Sequence, residues 1–302
     1  MEASRKLRLL TTNELTPTPV KNVIGTIKGA VEPDRYVIIG THRDSWVYGA
    51  VETLGTAAMI GILEAIEETM KYYGWRPRRS LLFISFGASN FGHIGAQEWV
   101  EHNLPKLQNR VVGYLNMDAI VTGSDIDSTS SIPLRNLIVN ALKNVPDPMD
   151  PTNYERTYYD FWREKSSGSY LQNAQPYVNY IGNNGDYNPF VYQAGIPAID
   201  LRFTNSKYNL SMLYPTHNTG YDTVNLYENL IDPEYKILRT SCEVAVHMLR
   251  ELADSKILPY DLMEYSFALN QALDHVEDYL TKQIPAPIGK RNKLNRNILS
   301  CP

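Results

Sequence analysis

The chain of 302 residues has few cysteines, no long apolar run and no excess of basic side chains. Its two cysteines, Cys242 and Cys301, exclude a disulfide framework and a cysteine-rich zinc module. No apolar run reaches the roughly 18 residues that a membrane-spanning helix needs, and residues 1–10 lack the apolar stretch of a signal peptide. Lys and Arg number 29 against 33 Asp and Glu, which argues against nucleic acid as a partner.

Short apolar runs alternate with helical patterns along the chain. Hydrophobic residues make up 43% and charged residues 21%, as in a folded globular protein. The pattern predicts strands at 20–28, 36–40, 80–86, 111–117 and 196–203, and helices at 55–72, 95–101, 132–144, 189–193, 233–252 and 261–281. Residues 146–179 are polar and rich in Tyr, which favours an irregular segment. The order predicts an α/β fold whose open, mostly parallel sheet is flanked by helices on both faces.

Polar side chains follow the predicted strands, where open α/β sheets bind ligands. His42 follows the second strand, with Glu52 ten residues later, and Asp118 follows the fourth. Imidazole and carboxylate are ligands that zinc accepts. The spacing is a weak signal by itself and also fits side chains that cap strands and helices, so the pattern leaves a metal site and a structural role open.

Two blocks carry a resemblance to a known family. Residues 29–50 (GAVEPDRYVIIGTHRDSWVYGA) and 72–103 (YYGWRPRRSLLFISFGASNFGHIGAQEWVEHN) resemble the glutamate carboxypeptidase II and transferrin receptor group of the M28 zinc peptidases. The likeness continues through YLNMDAI, GIPAIDLRF and LYPTHNTGYDT and covers about residues 20–281. It implies a peptidase-like domain at 20–258 and the start of a helical, dimerisation-type domain at 259–284.

The resemblance also implies a longer parent protein, of which this chain is expected to be a truncated part. Residues 1–19 are expected to be a poorly defined lead and residues 285–302 a disordered tail. The parent is expected to lie on the extracellular side of a membrane as a homodimer. Asn209 begins a glycosylation sequon, Asn-Leu-Ser, that agrees with such a location.

The resemblance implies a degenerate zinc site. By this resemblance, His42 and Asp118 match two zinc ligands of the family, and Glu52 matches a bridging Asp. A family zinc ligand falls on Asn90, and the last His ligand falls on Asn218, with His217 one position earlier. We therefore expect one zinc ion or none rather than two. His93, three residues after Asn90, is interpreted as a surface histidine, with a substitute ligand as the alternative.

Further family positions also differ from the family pattern. Ser89 occupies the place of the general base, and a serine hydroxyl cannot deprotonate water near neutral pH. The resemblance places the substrate pocket at Gly185, Asp186, Asp200 and Arg202. Because Asp200 stands where the family has an arginine, a preference for acidic substrates is not expected.

The resemblance suggests a calcium site and two alternative functions. Glu98 and Glu101 match two carboxylates that hold calcium in the family, although a solvated acidic face explains them equally well. The first function is a pseudo-peptidase that binds an unidentified protein or peptide or serves in assembly. The alternative is a zinc-dependent exopeptidase with altered ligands that uses His42, Glu52, Asp118 and His217.

Overall fold

The computed structural model describes residues 8–14, 16–167, 178–205 and 214–283. Asn209 and the tail at 285–302 lie outside the described residues. The strands are β1 Val23–Ile27, β2 Glu32–His42, β3 Arg79–Phe86, β4 Val111–Asn116, β5 Asp125–Ile126, β6 Thr129–Ser130, β7 Asn179–Tyr180, β8 Ala198–Asp200 and β9 Phe203–Thr204. The helices are α1 Leu54–Tyr73, α2 Ile94–Arg110, α3 Arg135–Leu142, α4 Tyr158–Ser167, α5 Asn188–Tyr192, α6 Val224–Leu226, α7 Lys236–Asp254 and α8 Met263–Gln283.

Seven strands form the main sheet in the order β1, β3, β2, β4, β8, β6, β7. The central pairs β3–β2, β2–β4 and β4–β8 are parallel, while β1 and β6 each run antiparallel to a neighbour. β5 and β9 form a separate two-stranded antiparallel sheet. The prediction of an open, mostly parallel sheet is confirmed.

Helices cover both faces of the sheet because the central strands are apolar on both sides. On one face, buried side chains of α1, α3 and α7 pack with alternate residues of the strands, such as Val37 and Ile39 of β2. On the other face, α2 and α5 pack with the intervening residues, such as Ile38 and Ile84. The site described below lies where β2, β3, β4 and β8 end between these layers.

Two predicted segments differ from the structure. The segment at 146–179 was expected to be irregular but contains α4, because Tyr158 and Trp162, four residues apart, bury one helix face in the core. The strand predicted at 196–203 is broken. Its first part joins the main sheet as β8, and Phe203 joins the small sheet as part of β9 and stacks on Tyr158.

α8 and the segment directly before it are linked to α3. Arg135 forms an ion pair with Glu264 at 2.5 Å, and Asn136 donates a hydrogen bond to Asp261 at 2.5 Å. The domain boundary at residue 258 stays a prediction. In the described part of the chain, no helix combines the length and the apolar character that crossing a bilayer requires.

Candidate functional site

A polar cavity of about 320 Å³ lies at the carboxyl ends of the central strands. It collects residues from segments that lie far apart in the sequence, because parallel strands end at the same edge of the sheet. Its lining consists of His42, Glu52, Ser89, Asn90, Gly92, His93, Asn116, Asp118, Ala119, Asn184, Gly185, Asp200, Arg202 and His217.

His42 ends β2, and its side chain is 8% exposed. Nδ1 lies 2.9 Å from the carbonyl oxygen of Asp44. Because a carbonyl can only accept, Nδ1 carries the hydrogen, and in the neutral ring Nε2 presents its lone pair. This nitrogen lies 4.0 Å from Oδ1 of Asp118. A backbone carbonyl that fixes the tautomer in this way is typical of a metal-binding histidine.

Asp118 follows β4, and two donors hold its carboxylate. The backbone N–H of His42 donates to Oδ1 and Nδ2 of Asn116 donates to Oδ2, both at 2.9 Å. Burial raises the pKa of Asp118 to about 6, although the His42 imidazole opposes the shift. Burial alone would lower the pKa of His42, but the nearby carboxylates, above all that of Asp118, raise it.

Glu52 and His217 form a second pair of imidazole and carboxylate. Nε2 of His217 lies 3.4 Å from Oε1 of Glu52 and, although buried, makes no well-formed hydrogen bond with the described residues. Ser45 Oγ donates to the other Glu52 oxygen at 2.8 Å. Burial raises the pKa of Glu52, but its contacts with His217, Ser45 and Asn90 outweigh this, so the pKa is lowered.

Asp222 brings the loops of this second pair together. Its Oδ1 accepts the N–H of Val51 at 2.9 Å, and its Oδ2 accepts the hydroxyl of Tyr214. The loop before α1 and the loop that carries His217 are thereby joined. His217 lines the cavity, whereas Asn218, with a φ of 59°, is not among the lining residues. Of the two candidates for the last ligand, the structure brings His217 to the site.

Ser89 and Asn90 form a short 3₁₀ turn after β3 that Asp44 holds in place. The two carboxylate oxygens of Asp44 accept the N–H of Ser89 at 2.9 Å and that of Asn90 at 3.0 Å. Both side chains line the cavity and both are uncharged. Two neutral groups therefore stand where the resemblance puts two carboxylates.

His93 faces the cavity, so its interpretation as a surface histidine is wrong. Nδ1 contacts Oδ1 of Asp186 at 3.0 Å and Oγ of Ser89 at 3.1 Å. Asp186 is fully buried, and its carboxylate draws the ring inward. The hydrogen bond with Asp186 raises the pKa of His93, although burial opposes it.

Asp200 and Arg202 pair with each other at the end of β8. Asp200 is 2% exposed and also accepts a hydrogen bond from Asn116 at 2.9 Å. The charges of Asp200 and Arg202 balance each other. This part of the cavity therefore presents neither an unpaired guanidinium nor an unpaired carboxylate to a ligand. Gly185, the remaining predicted pocket residue besides Asp186, lines the same cavity.

Glu98 and Glu101 lie away from the cavity on α2. Both are exposed, and Glu101 accepts a hydrogen bond from Gln97. Within the described ranges, no three His, Cys, Asp or Glu side chains are close enough together to hold a metal as they stand. The calcium site stays a prediction.

Comparison with known proteins identifies the family of this chain. The sequence profile of peptidase family M28 matches residues 22–226. The chain belongs to peptidase family M28. The match spans every cavity-lining residue from His42 to His217, so the cavity lies within the M28 region.

Relatives of this M28 chain are longer proteins. It is 35% identical to the mouse aminopeptidase NAALADL1, over 93% of this chain and 38% of the mouse protein. It is 33% identical to LAMP1 of Arabidopsis thaliana, a probable glutamate carboxypeptidase, over 90% of this chain and 38% of that protein. The chain thus spans about two fifths of these relatives. The zinc aminopeptidase BSAP of Bacillus subtilis has the same fold, with a TM-score of 0.52 at 17% identity over 80% of this chain and 52% of that one.

The imidazoles and carboxylates that line the M28 cavity are ligand types that zinc accepts. Two donors on one tetrahedral zinc at about 2.0–2.1 Å lie roughly 3.3 Å apart. The 3.4 Å between His217 and Glu52 matches that spacing, and the 4.0 Å between His42 and Asp118 is somewhat wider. The buried His217 nitrogen without a hydrogen bond is an available ligand. As they stand, no three of these side chains are close enough together to bind one ion, so the His42–Asp118 pair or the His217–Glu52 pair would hold zinc only after its neighbours move toward it.

Without metal, we expect the domain to lose stability as the pH rises from about 4 to 7. Folding raises the pKa of Asp118 from 3.8 to about 6 and also raises that of His42, so the folded state binds more protons than the unfolded state in this window. The raised pKa of Asp118 alone corresponds to a loss of about 3 kcal/mol. Urea unfolding of the chelator-treated protein at several pH values measures it. The variant Asp118→Asn should show a flatter profile, and a stability that rises with pH would contradict the expectation.

Sequence reasoning missed the residues that hold the candidate ligands in place. Asp44 positions the turn of Ser89 and Asn90, Asp222 joins the two loops, and Asn116 links Asp118 to Asp200. Asp44 lies two residues after His42, and Asp222 stands in the GYDT motif, so both were visible as polar residues beside the candidate ligands. Their partners are 45 and 171 residues away, and no local pattern reveals such pairs.

Proposed function

We propose that this M28 domain binds the end of a peptide in the cavity, holds one metal ion or none, and does not use two-metal hydrolysis. The observation that carries the proposal is the pair of neutral side chains, Ser89 and Asn90, at the cavity wall. An amide oxygen is a poor zinc ligand beside imidazole and carboxylate. A second ion would depend on His217 and on a Glu52 shared with the first ion.

A bound zinc ion would polarise a peptide carbonyl and acidify a bound water. The chain's own residues would orient the peptide. Arg202 remains charged at the cavity wall, and its ion pair with the buried Asp200 fixes its position. The guanidinium can donate to a peptide carbonyl or terminal carboxylate, but its charge is already balanced. We therefore propose no preference for an acidic side chain.

The relatives' names suggest two probes: leucine 4-nitroanilide for an aminopeptidase and alanyl-glutamate for a carboxypeptidase. We expect calorimetry with the full chain and one equivalent of zinc to show binding of alanyl-glutamate. Asn184→Trp, which fills the cavity mouth, should abolish binding. The matched variant Asn140→Trp, on an exposed position of α3, should not.

Release of free amino acid from the same peptide measures turnover. Loss of a positioned base typically costs 10²- to 10⁴-fold in rate, so turnover should be slow. Failure of the peptide to bind would refute the proposal. Rapid turnover with two bound zinc ions would favour the alternative, a zinc exopeptidase with altered ligands.

A further inference from the structure

We propose that His93, held by Asp186, is the group that takes up and returns the proton in a slow peptide hydrolysis at this cavity. This inference rests on the proposed peptide-binding site. It adds a base of a different type from the carboxylate that Ser89 replaces. The contacts among His93, Asp186 and Ser89 support this role.

The hydrogen bonds fix which ring nitrogen of His93 is available. Asp186 is fully buried, and its Oδ1 lies 3.0 Å from Nδ1 of His93. A carboxylate only accepts, so Nδ1 carries a hydrogen and Nε2 is the basic atom of the neutral ring. Within the described part of the chain, Nε2 has no hydrogen-bond partner. The ring lines the cavity and its side chain is 23% exposed, so a water molecule can reach it.

The same contacts exclude Ser89 as a nucleophile of the serine hydrolase type. Its hydroxyl donates to Oδ1 of Asp186 at 2.8 Å. Among the described residues, the ring nitrogen in contact with it is Nδ1 of His93, which already carries a hydrogen and cannot accept the serine proton. Ser89 therefore helps to hold the carboxylate in place, and the reacting oxygen must come from water.

The backbone supports a functional role for this loop. His93 has a φ of 59° and Ala88, at the other end of the turn, a φ of 57°. Left-handed conformations of residues other than glycine are costly and cluster at functional sites. Here they direct the His93 side chain into the cavity and place it directly before α2.

The charges around the ring favour proton uptake. Asp186 raises the pKa of His93 through a hydrogen bond and its charge, Asp118 adds to the shift, and His42 opposes it. His42 and Asp118 line the same cavity as His93. In addition, Oδ2 of Asp186 is buried and has no hydrogen-bond partner among the described residues. No donor on that oxygen therefore reduces the negative charge of the carboxylate.

The step balances with water and peptide alone. The water oxygen bonds to the carbonyl carbon while its proton passes to Nε2 of His93. The C–N bond then breaks as the same proton passes from Nε2 to the leaving nitrogen. The products are a carboxylic acid and an amine, and His93 returns to its neutral form. A positioned base of this kind contributes about 10²- to 10⁴-fold.

The test uses His93→Gly in the full chain, with leucine 4-nitroanilide, alanyl-glutamate and one equivalent of zinc. A φ of 59° suits glycine, so the variant should fold. We expect kcat to fall about 10²-fold while peptide affinity by calorimetry changes less than twofold. Imidazole added in solution should restore part of the rate, and less of it when Asp186→Asn is also present. His102→Ala, an exposed position on α2, is the matched control and should leave the rate unchanged.

The outcomes separate this inference from the proposed function. If the peptide binds but neither probe is hydrolysed, or if His93→Gly hydrolyses as fast as the unchanged chain, the role of His93 is refuted and peptide binding stands. If the peptide does not bind, both proposals fail. A fall in rate that imidazole does not restore, seen also with His93→Gln, would indicate a structural role and overturn the inference.

Discussion

Gly55→Ala is expected to lower the free energy of unfolding by about 3 kcal/mol and to weaken metal binding together with it. Gly55 lies in the first turn of α1, and a Cβ there would stand 1.7 Å from the carbonyl oxygen of Met117 and 2.7 Å from Oγ1 of Thr41. The first of these is a backbone atom, so no rotation of a side chain relieves the clash. The helix or the end of β4 must move.

Such a movement would reach the site directly. Met117 precedes Asp118, and Thr41 precedes His42, so both candidate ligands at these strand ends would be displaced. A misplaced ligand weakens a metal site whose donors are already few. Thermal unfolding and zinc titration of the same samples measure the two effects.

Gly61→Ala is the matched control for the same helix. A Cβ at Gly61 meets nothing within 4 Å, and the position is exposed. Alanine is the better helix former by about 0.5–1 kcal/mol, so this variant should be slightly stabilised and should bind zinc as before. Equal effects of the two substitutions would show that α1 does not pack against β4 as described.

Asn90→Glu is expected to raise the number of zinc ions bound at micromolar zinc from at most one toward two. The side chain lines the cavity and contacts Glu52, which also contacts His217. A carboxylate at residue 90 would complete a set of one imidazole and two carboxylates, the ligand types that zinc accepts. Native mass spectrometry counts the ions per chain.

The control for this gain is Asn90→Gln, which has nearly the same size as Glu and no charge. It should leave the ion count unchanged. Without metal, the Glu variant should be less stable than the Gln variant, because a new carboxylate then faces Glu52 without a cation between them. If the Gln variant gains an ion as well, charge at residue 90 does not limit binding.

The sequence was sufficient to predict the sheet and the edge at which the site lies. Buried strands such as 80–86 and the amphipathic pattern of α1 depend on local periodicity, which one sequence displays. The break between β8 and β9 could not be predicted, because it depends on Phe203 leaving the main sheet to stack on Tyr158, 45 residues earlier in the chain. The sequence pattern did not predict α4, because its two buried aromatic residues lie among charged and polar neighbours.

The candidate site was predicted in its residue types but not in its contacts. His42, Glu52 and Asp118 follow from their positions relative to the strands and from the family resemblance. The choice between His217 and Asn218 depends on the loop that Asp222 holds, and counting residues from the motif favoured Asn218. The orientation of His93 depends on Asp186, which is 93 residues away and which the motif does not reveal.

The central claim is that this cavity lacks the charged donors for two metal ions and a carboxylate base. The most direct test is to count zinc ions on the metal-free full chain as zinc is added to micromolar excess, by native mass spectrometry. The account predicts no more than one ion per chain, lost in His42→Ala. Two ions bound per chain at the same zinc concentration, both dependent on cavity residues, would contradict it.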